Sequence, residues 1–456
     1  MVSVVSQVAE PSSKIIRRAY IKRRLESTGL FETDWLEITE DVKRWGKLSI
    51  STTPEKPGSF KFKTLKLKVA NDEGRYNPSD DQYSLWFGYM DMQRTLVKIE
   101  YGFVYQTKSG GIWTNKTVPE ASFWDADQWD NDLNWDEYDT TYHGIISGDP
   151  ILSDRNEISL TIKPLTQLFK DYPARNLSGY TSTGLSASQF MEMVRDQTTG
   201  SGNFVFRPFF GDTTSNWDIA STTINYGYLD SIGAAGIRDK SVWQVMEKLG
   251  QAESKVPFAD NNGIFRFKDL EAQDSTAAYF FGTGFFNSNF GNTIKNISRF
   301  GPRLEAYYSR VQVKFSSADT TTSFAIVEGD FTIASNNDAW AFGYRTFKVE
   351  NLLIADASVA GSIATSLFNN LSALKKEITF STSFIPHVKI LDKIEMSYDS
   401  TEPAPGSNWN ENDWNTELEW DSSRGDAIVL QDSPFTVLKV EIDLDNFGCN
   451  YIAREI

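Results

Sequence analysis

The sequence predicts a mainly β protein with an α+β insert, in which two related β-barrel or β-sandwich domains flank a mixed α/β middle domain. Three observations predict it. Apolar and polar residues alternate with period two in both halves of the chain, the pattern of half-buried strands. A tryptophan-rich segment occurs twice, at a constant offset of 285 residues. Between the copies the texture changes to helix-capping signals and a hairpin.

The first segment is Phe123-Trp-Asp-Ala-Asp-Gln-Trp-Asp-Asn-Asp-Leu-Asn-Trp-Asp136 and the second is Asn408-Trp-Asn-Glu-Asn-Asp-Trp-Asn-Thr-Glu-Leu-Glu-Trp-Asp421. Trp124, Trp129, Leu133, Trp135 and Asp136 match Trp409, Trp414, Leu418, Trp420 and Asp421, and six of the thirteen tryptophans fall here. Solenoid periods run to about 20–50 residues, so this spacing points to two related domains instead.

A length of 456 residues suggests about two to four domains, each able to bury a core. With 40% hydrophobic and 23% charged residues, the composition is that of an ordinary globular chain. The net charge of -16 is concentrated: 122–139 holds seven acids and no base, and 402–426 holds seven acids and one Arg, together 13 of the 16 excess charges. That balance argues against tight sequence-independent binding of nucleic acid, which needs clustered Lys and Arg. The opposing signal is the basic run Lys14-Ile-Ile-Arg-Arg-Ala-Tyr-Ile-Lys-Arg-Arg24, which reads as a solvated strand face or a partner contact. The single cysteine, Cys449, excludes an intrachain disulfide and reads as a small buried residue. No apolar run of about 18 residues is present, so no membrane-spanning segment is expected.

In chain order, residues 1–13 read as a flexible N-terminal arm. The first β domain covers 14–165 and carries a Trp/Asp-rich insert at 105–140. Within it Phe60, Phe62, Leu65, Leu67 and Val69 alternate with lysines, and the one-residue slip at Thr64 predicts a bulge. Residues 166–300 form the middle domain. There Ser186 and Gln189 have the spacing of a capping box, with Leu185 and Phe190 as its hydrophobic staple and Phe190, Met193 and Val194 on the buried face. Ser241 and Gln244 repeat that spacing ahead of a helix that Gly250 is expected to end. Val256-Pro-Phe258 and Ile264-Phe-Arg-Phe267 flank Asp260-Asn-Asn-Gly263, a hairpin by its turn residues. The second β domain covers 301–456 and carries a Trp-rich insert at 400–430. Its Val359, Ile363, Leu367, Leu371 and Leu374 recur at helical spacing. Lys98-Ile-Glu100 and Lys393-Ile-Glu395 precede the two Trp segments in the same way.

Several of these motifs, in this order, resemble the tail-hub (baseplate hub or tail-tip) proteins of tailed bacteriophages. The likeness lies in Trp35-Leu-Glu-Ile-Thr-Glu-Asp-Val42, the loop Asn71-Asp-Glu-Gly-Arg-Tyr-Asn-Pro78 followed by Leu96-Val-Lys-Ile99, the helix and hairpin of 241–267, the helix of 355–374 and Ile390-Leu-Asp-Lys-Ile394. Together they span most of 30–456. The resemblance implies two tail-tube-like β-barrels in one subunit and three subunits in a ring, so that six similar units meet a sixfold tube. It also implies a non-enzymatic virion protein at the tail tip, assembled in the host cytoplasm. Its partners would be a distal tail or tail tube protein, a tip, spike or fibre protein, the tape measure protein, and DNA in transit through the lumen during genome ejection. The 35 residues after Asp421 leave no expectation of a lysozyme, peptidase or fibre domain.

Four readings fit the tryptophans Trp124, Trp129, Trp135, Trp409, Trp414 and Trp420. They staple their own hairpin to the barrel; they anchor a neighbouring subunit, as interface tryptophans do; they stack on sugars; or the adjoining aspartates bind Ca²⁺. The metal reading is weakened by the second copy, which replaces most of those aspartates. The sugar reading supports an alternative function, a glycan-binding or glycan-cleaving protein. No cofactor or metal is expected, His143 and His387 lack a nucleophile motif, and Gly282-Thr-Gly284 lacks the context of a phosphate loop.

Overall fold

The computed structural model describes residues 13–52, 59–62, 64–77, 81–90, 92–109, 112–115, 139–148, 151–154, 156–178, 185–200, 202–211, 214–226, 240–269, 276–282, 293–302, 304–316, 322–328, 343, 345–350, 357–399 and 429–456. Most of the expected arm and the repeated tryptophan segments of both inserts lie outside these residues. The fold is mainly β.

The N-terminal strands are β1 (Ser13–Lys22), β2 (Leu36–Glu37), β3 (Val42–Arg44), β4 (Lys47–Thr52), β5 (Phe60–Phe62), β6 (Leu65–Ala70), β7 (Leu96–Ser109), β8 (Ile112–Asn115), β9 (Asp139–Ile146), β10 (Ile151–Asp154) and β11 (Glu157–Pro164). An antiparallel sheet runs β2-β1-β7-β9-β11-β6-β3, with β8 added to β7 and β10 to β11. Period-two alternation creates it: Ile158, Leu160 and Ile162 of β11 and Leu65, Leu67 and Val69 of β6 turn one apolar face inward, and all six are buried. The predicted loop after β6 is a 3-10 turn over Asp72–Gly74. The Asn71 side chain closes it by accepting from the Tyr76 amide at 2.7 Å.

The slip at Thr64 is a crossover and not a bulge. β5 pairs with β4, and β4 pairs with the far end of the chain, at Lys47↔Asp443 through Ser51↔Lys439. β6, by contrast, pairs with β11. Alternation reports which residues face a core but not which core, so two strands in different sheets read as one.

Residues 165–269 form a mixed unit. Strands β12 (Leu185–Ser186) and β14 (Asn225–Tyr226) pair with each other, while β13 (Trp217–Ile219), β15 (Lys255–Ala259) and β16 (Phe265–Asp269) form a small sheet in which β13 runs parallel to β16. Both expected capping boxes form, Ser186 with Gln189 ahead of helix Ala187–Arg195 and Ser241 with Gln244 ahead of helix Val242–Glu253. The first helix buries Phe190 and Val194 as expected, together with Met191; Met193 is only half-buried. The second passes through a buried Gly250 and ends three residues later, where Ser254 takes the left-handed conformation at φ 54°. Phe169, Phe210, Trp217 and Phe265 pack together beneath these helices, with ring centroids 5.0–6.3 Å apart.

The C-terminal strands are β17 (Tyr279–Gly282), β18 (Ile294–Pro302), β19 (Arg310–Ser316), β20 (Thr322–Glu328), β21 (Thr346–Glu350), β22 (Lys376–Thr382), β23 (Lys393–Asp399), β24 (Val429–Asp443) and β25 (Gly448–Glu455). The main sheet runs β17-β23-β24-β25-β22-β18, and β4 continues along the edge of β24 where β23 leaves it. Strands β20-β19-β21 form a separate sheet, against which helix Ala357–Leu371 buries Ala360, Ile363, Ala364, Leu367 and Leu371.

The same strand order occurs twice. In chain order β6, β7, β9 and β11 lie in space as β7-β9-β11-β6, and β22, β23, β24 and β25 lie as β23-β24-β25-β22. Registering Ile99 on Ile394 carries Tyr142 onto Phe435 through the facing pairs. Stepping across the next ladders carries Ile162 onto Tyr451 and Leu65 onto Phe380. All eight side chains are at most 1% exposed. Each row crosses its own sheet, and both rows belong to one continuous hydrophobic core.

Candidate functional site

The six tryptophans singled out above, Trp124, Trp129, Trp135, Trp409, Trp414 and Trp420, lie outside the described residues. Their points of attachment are described. The first segment joins β8 to β9, whose Asp139 faces Tyr101 of β7. The second joins β23 to β24, where Asp399 faces Val429. Both segments therefore interrupt the same strand pair of the repeated unit. The repeated Lys-Ile-Glu shares its geometry too: Lys98 reaches Glu100 at 2.6 Å and Lys393 reaches Glu395 at 3.5 Å, while Ile99 and Ile394 face inward.

The titratable groups in the interior are packing elements. His143 sits in β9 against the 260–263 turn, where its Nδ1 would lie 2.1 Å from a Cβ on Gly263, whose φ is +78°. The turn is closed by the buried Asp260 carboxylate, which accepts from the Asn262 and Ile264 amides at 2.9 Å and from Arg266 Nε at 2.7 Å. Burial pushes the His143 imidazole down to about 4. His387 is half-buried with its ring nitrogens shielded, 5.1 Å from the Tyr279 ring, and is also pushed down to about 4 by burial and then by Lys389. Burial raises the Cys449 thiol to about 12, and its sulfur accepts from the Ile385 amide at 3.4 Å. Among the described residues no cluster of three or more His, Cys, Asp or Glu could hold a metal ion.

A groove of about 910 Å³ lies between residues 22–33, at and beyond the end of β1, and residues 199–211 of the middle unit. The sequence shapes it locally. Gly29, at φ +69°, turns the chain so that the Leu25 amide donates to the Leu30 carbonyl at 2.8 Å, and Arg24 Nε donates to the Gly29 carbonyl at 3.1 Å. Arg23 is fully engaged, donating to the Glu32 carboxylate and the Leu85 carbonyl, with its guanidinium 3.8 Å from the Tyr89 ring centroid. Burial alone would raise Glu32, but the Arg23 hydrogen bonds outweigh it and hold the carboxyl below its usual range. The Phe31 ring meets Phe209 edge-on at 5.2 Å and ties the groove's walls together.

Lys22, Arg24 and Arg94 remain as cations along the groove with no carboxylate within ion-pair distance among the described residues. Arg24 is pushed below its usual value by burial and then by the neighbouring Arg94 charge. Exposed apolar groups frame them, Leu30 at 55% and Phe204 at 38%. On the adjoining loop, which meets this segment through the Leu25↔Tyr89 bridge, Phe87 is 55% exposed and Met90 38%. The Phe204 ring carries the Arg207 guanidinium 3.8 Å above it, and Arg207 also pairs with Asp196.

No family model and no curated protein matches the chain. Solved structures are similar to it over nearly their whole lengths. The prophage MuSo2 43 kDa tail protein of Shewanella oneidensis aligns over 96% of this chain and 98% of its own, with a TM-score of 0.43 and 11% identity. The prophage tail protein gp18 of Listeria monocytogenes EGD-e aligns over 95% of this chain and 94% of its own, with a TM-score of 0.44 and 9% identity. A chain of the p2 virion baseplate in its activated conformation aligns over 96% of this chain and 99% of its own, with a TM-score of 0.32 and 9% identity.

The groove was only partly readable in advance. Its signal is the basic run of 14–24 in an otherwise acidic chain, but that run divides by position. Arg17 is drawn into a joint between the sheets, Arg23 pairs with Glu32, and only Lys22 and Arg24 face the groove. Arg94 joins them from the turn just before β7, a neighbour that sequence order does not reveal.

Proposed function

We propose that this chain is a structural, non-enzymatic component of a phage tail. In this reading it is a homotrimeric hub at the distal end, joining the tail tube or distal tail ring to a tip, spike or fibre protein. It encloses a channel for the tape measure protein and then for DNA. The observation that carries the proposal is the repeated strand order, β7-β9-β11-β6 and β23-β24-β25-β22, with the Trp segments inserted at equivalent places. An internally duplicated chain presents two similar units, so three copies present six and can meet a sixfold tube through similar contacts. The sequence motifs of 35–42, 71–78, 241–267 and 390–394 support the same reading. Domains 14–165 and 301–456 then each contribute one barrel, with 166–300 between them. An acidic or neutral channel would offer phosphates few contacts and let DNA slide.

Native mass measurement of the purified chain tests this. The expected species is three copies of the 51.5 kDa chain, with no retention on host polysaccharides. A monomer that binds or degrades a polysaccharide would overturn it in favour of glycan recognition.

A further inference from the structure

We propose that the groove lined by Lys22, Arg24, Arg94, Leu30 and Phe204 receives the acidic, tryptophan-bearing segment 122–139 of a second copy of this chain. The inference rests on the subunit-ring reading above and names one of its contacts.

Charge complementarity carries the choice of occupant. The chain has a net charge of -16, and 122–139 has seven acids and no base. The groove brings together Lys22, whose ammonium lies 5.8 Å from the Trp35 ring centroid, with Arg24 and Arg94, three cations with no carboxylate in ion-pair range among the described residues, and the two arginines are close enough for Arg94 to disfavour the charge on Arg24. A carboxylate-bearing partner would relieve that repulsion. The apolar rim of Leu30 and Phe204, with Phe31 and Phe209 behind, suits the tryptophans interleaved with the acids.

The anchors of the segment and the groove lie at opposite ends of one strand, a placement that suits contact between copies. Segment 116–138 is anchored at Asn115, which faces Gln106, and at Asp139, which faces Tyr101. The groove lies at the opposite end of β7, where Lys22 faces Leu96. Five residues along β7 separate Leu96 from Tyr101, so the segment's anchor at Asp139 lies roughly 17 Å along the strand from the groove. A contact between one end of a subunit and the other end of its neighbour is heterologous, the kind that closes a ring.

Zero-length carbodiimide crosslinking of a mixed ¹⁴N/¹⁵N sample tests the contact. The expected product joins Lys22 to an acid of 125–137 across isotopically different chains. Excess synthetic peptide 120–138 should compete for the groove and release monomers, and a peptide with Asp125, Asp127, Asp130 and Asp132 changed to Asn should compete at least about tenfold less well. The Arg24→Glu/Arg94→Glu variant should lose the crosslink. The peptide arm uses the unaltered protein and stands even if that variant misfolds. Crosslinks confined to single chains would overturn the second-copy assignment. A trimer that forms without the crosslink and ignores the peptide would overturn the groove contact while leaving the ring proposal intact. A monomer whose groove still binds the peptide would overturn the ring proposal and with it the second-copy occupant.

Discussion

The Asp445 carboxylate accepts from the backbone amide of Trp45 at 2.9 Å, and its second oxygen accepts from Gly46 at 3.1 Å. The two positions are separated by 400 residues, and the bonds hold the chain where it leaves the N-terminal sheet for the C-terminal one. Arg17 of β1 completes the joint, lying 4.8 Å from the Trp45 ring and 4.4 Å from the Phe447 ring and donating to the Leu444 carbonyl. The two repeated units are thus joined by side chains as well as by the exchanged strand β4.

Removing either partner should loosen the joint without unfolding each sheet's own core. Asp445→Ala leaves two amides without their charged acceptor and should cost about 1–2 kcal/mol. Arg17→Ala loses two cation–π contacts and a hydrogen bond and should cost about 2 kcal/mol. Urea denaturation of each variant and of the double variant checks this, with less than additive losses expected because both act on one joint.

Gly46 should tolerate no side chain. Its φ is +74°, and an added Cβ would lie 2.7 Å from the Lys66 carbonyl oxygen. Gly46→Ala is expected to destabilise by more than about 1 kcal/mol, measured as a lowered urea midpoint at unchanged slope.

The capping box of the 242–253 helix predicts a cost of about 1 kcal/mol for Ser241→Ala, because the Gln244 amide loses its acceptor. Ser241→Asp should retain most of the stability, since a carboxylate accepts the same bond and favours the helix N-terminus. Paired urea melts of the two variants distinguish cap loss from general intolerance at this position.

Acid should weaken the fold before its carboxylates titrate. His143 and His387 are held neutral at about 4 by burial, against 6.5 when exposed. The unfolded chain therefore binds more protons between these values, and stability, complete above pH 6.5, falls as pH drops toward 4. The loss is up to about 3 kcal/mol per histidine. Asp196, held at about 2 mainly by the Arg195 hydrogen bond, adds its own loss below its unfolded value of 3.8. His143→Gln and His387→Gln should each flatten the slope between pH 6.5 and 4; stability that rises on acidification through that window would contradict this.

Local rules made much of this legible. Alternation marked β6 and β11, the Ser-Gln spacings marked both helix starts, and Asp260 with Gly263 marked the hairpin. The repeated Lys-Ile-Glu marked equivalent strands before their order was known. Partner choice was not legible, because it depends on residues hundreds of positions away. Lys47–Thr52 has the same alternation whichever sheet receives it, and the parallel pairings of β17 with β23 and β19 with β21 leave no local trace. Gly250 misled for a related reason: packing of the buried helix face carries the helix past it. The groove needed Arg24 and Arg94 to meet in space, and the tryptophan segments lie outside the described residues.

The most direct measurement of the central claim is an electron-microscopy class average of the purified assembly viewed down its axis. The duplicated chain predicts a threefold ring whose inner layer shows six similar barrel units around an open channel. A ring with three units, or a solitary particle without a channel, would contradict it.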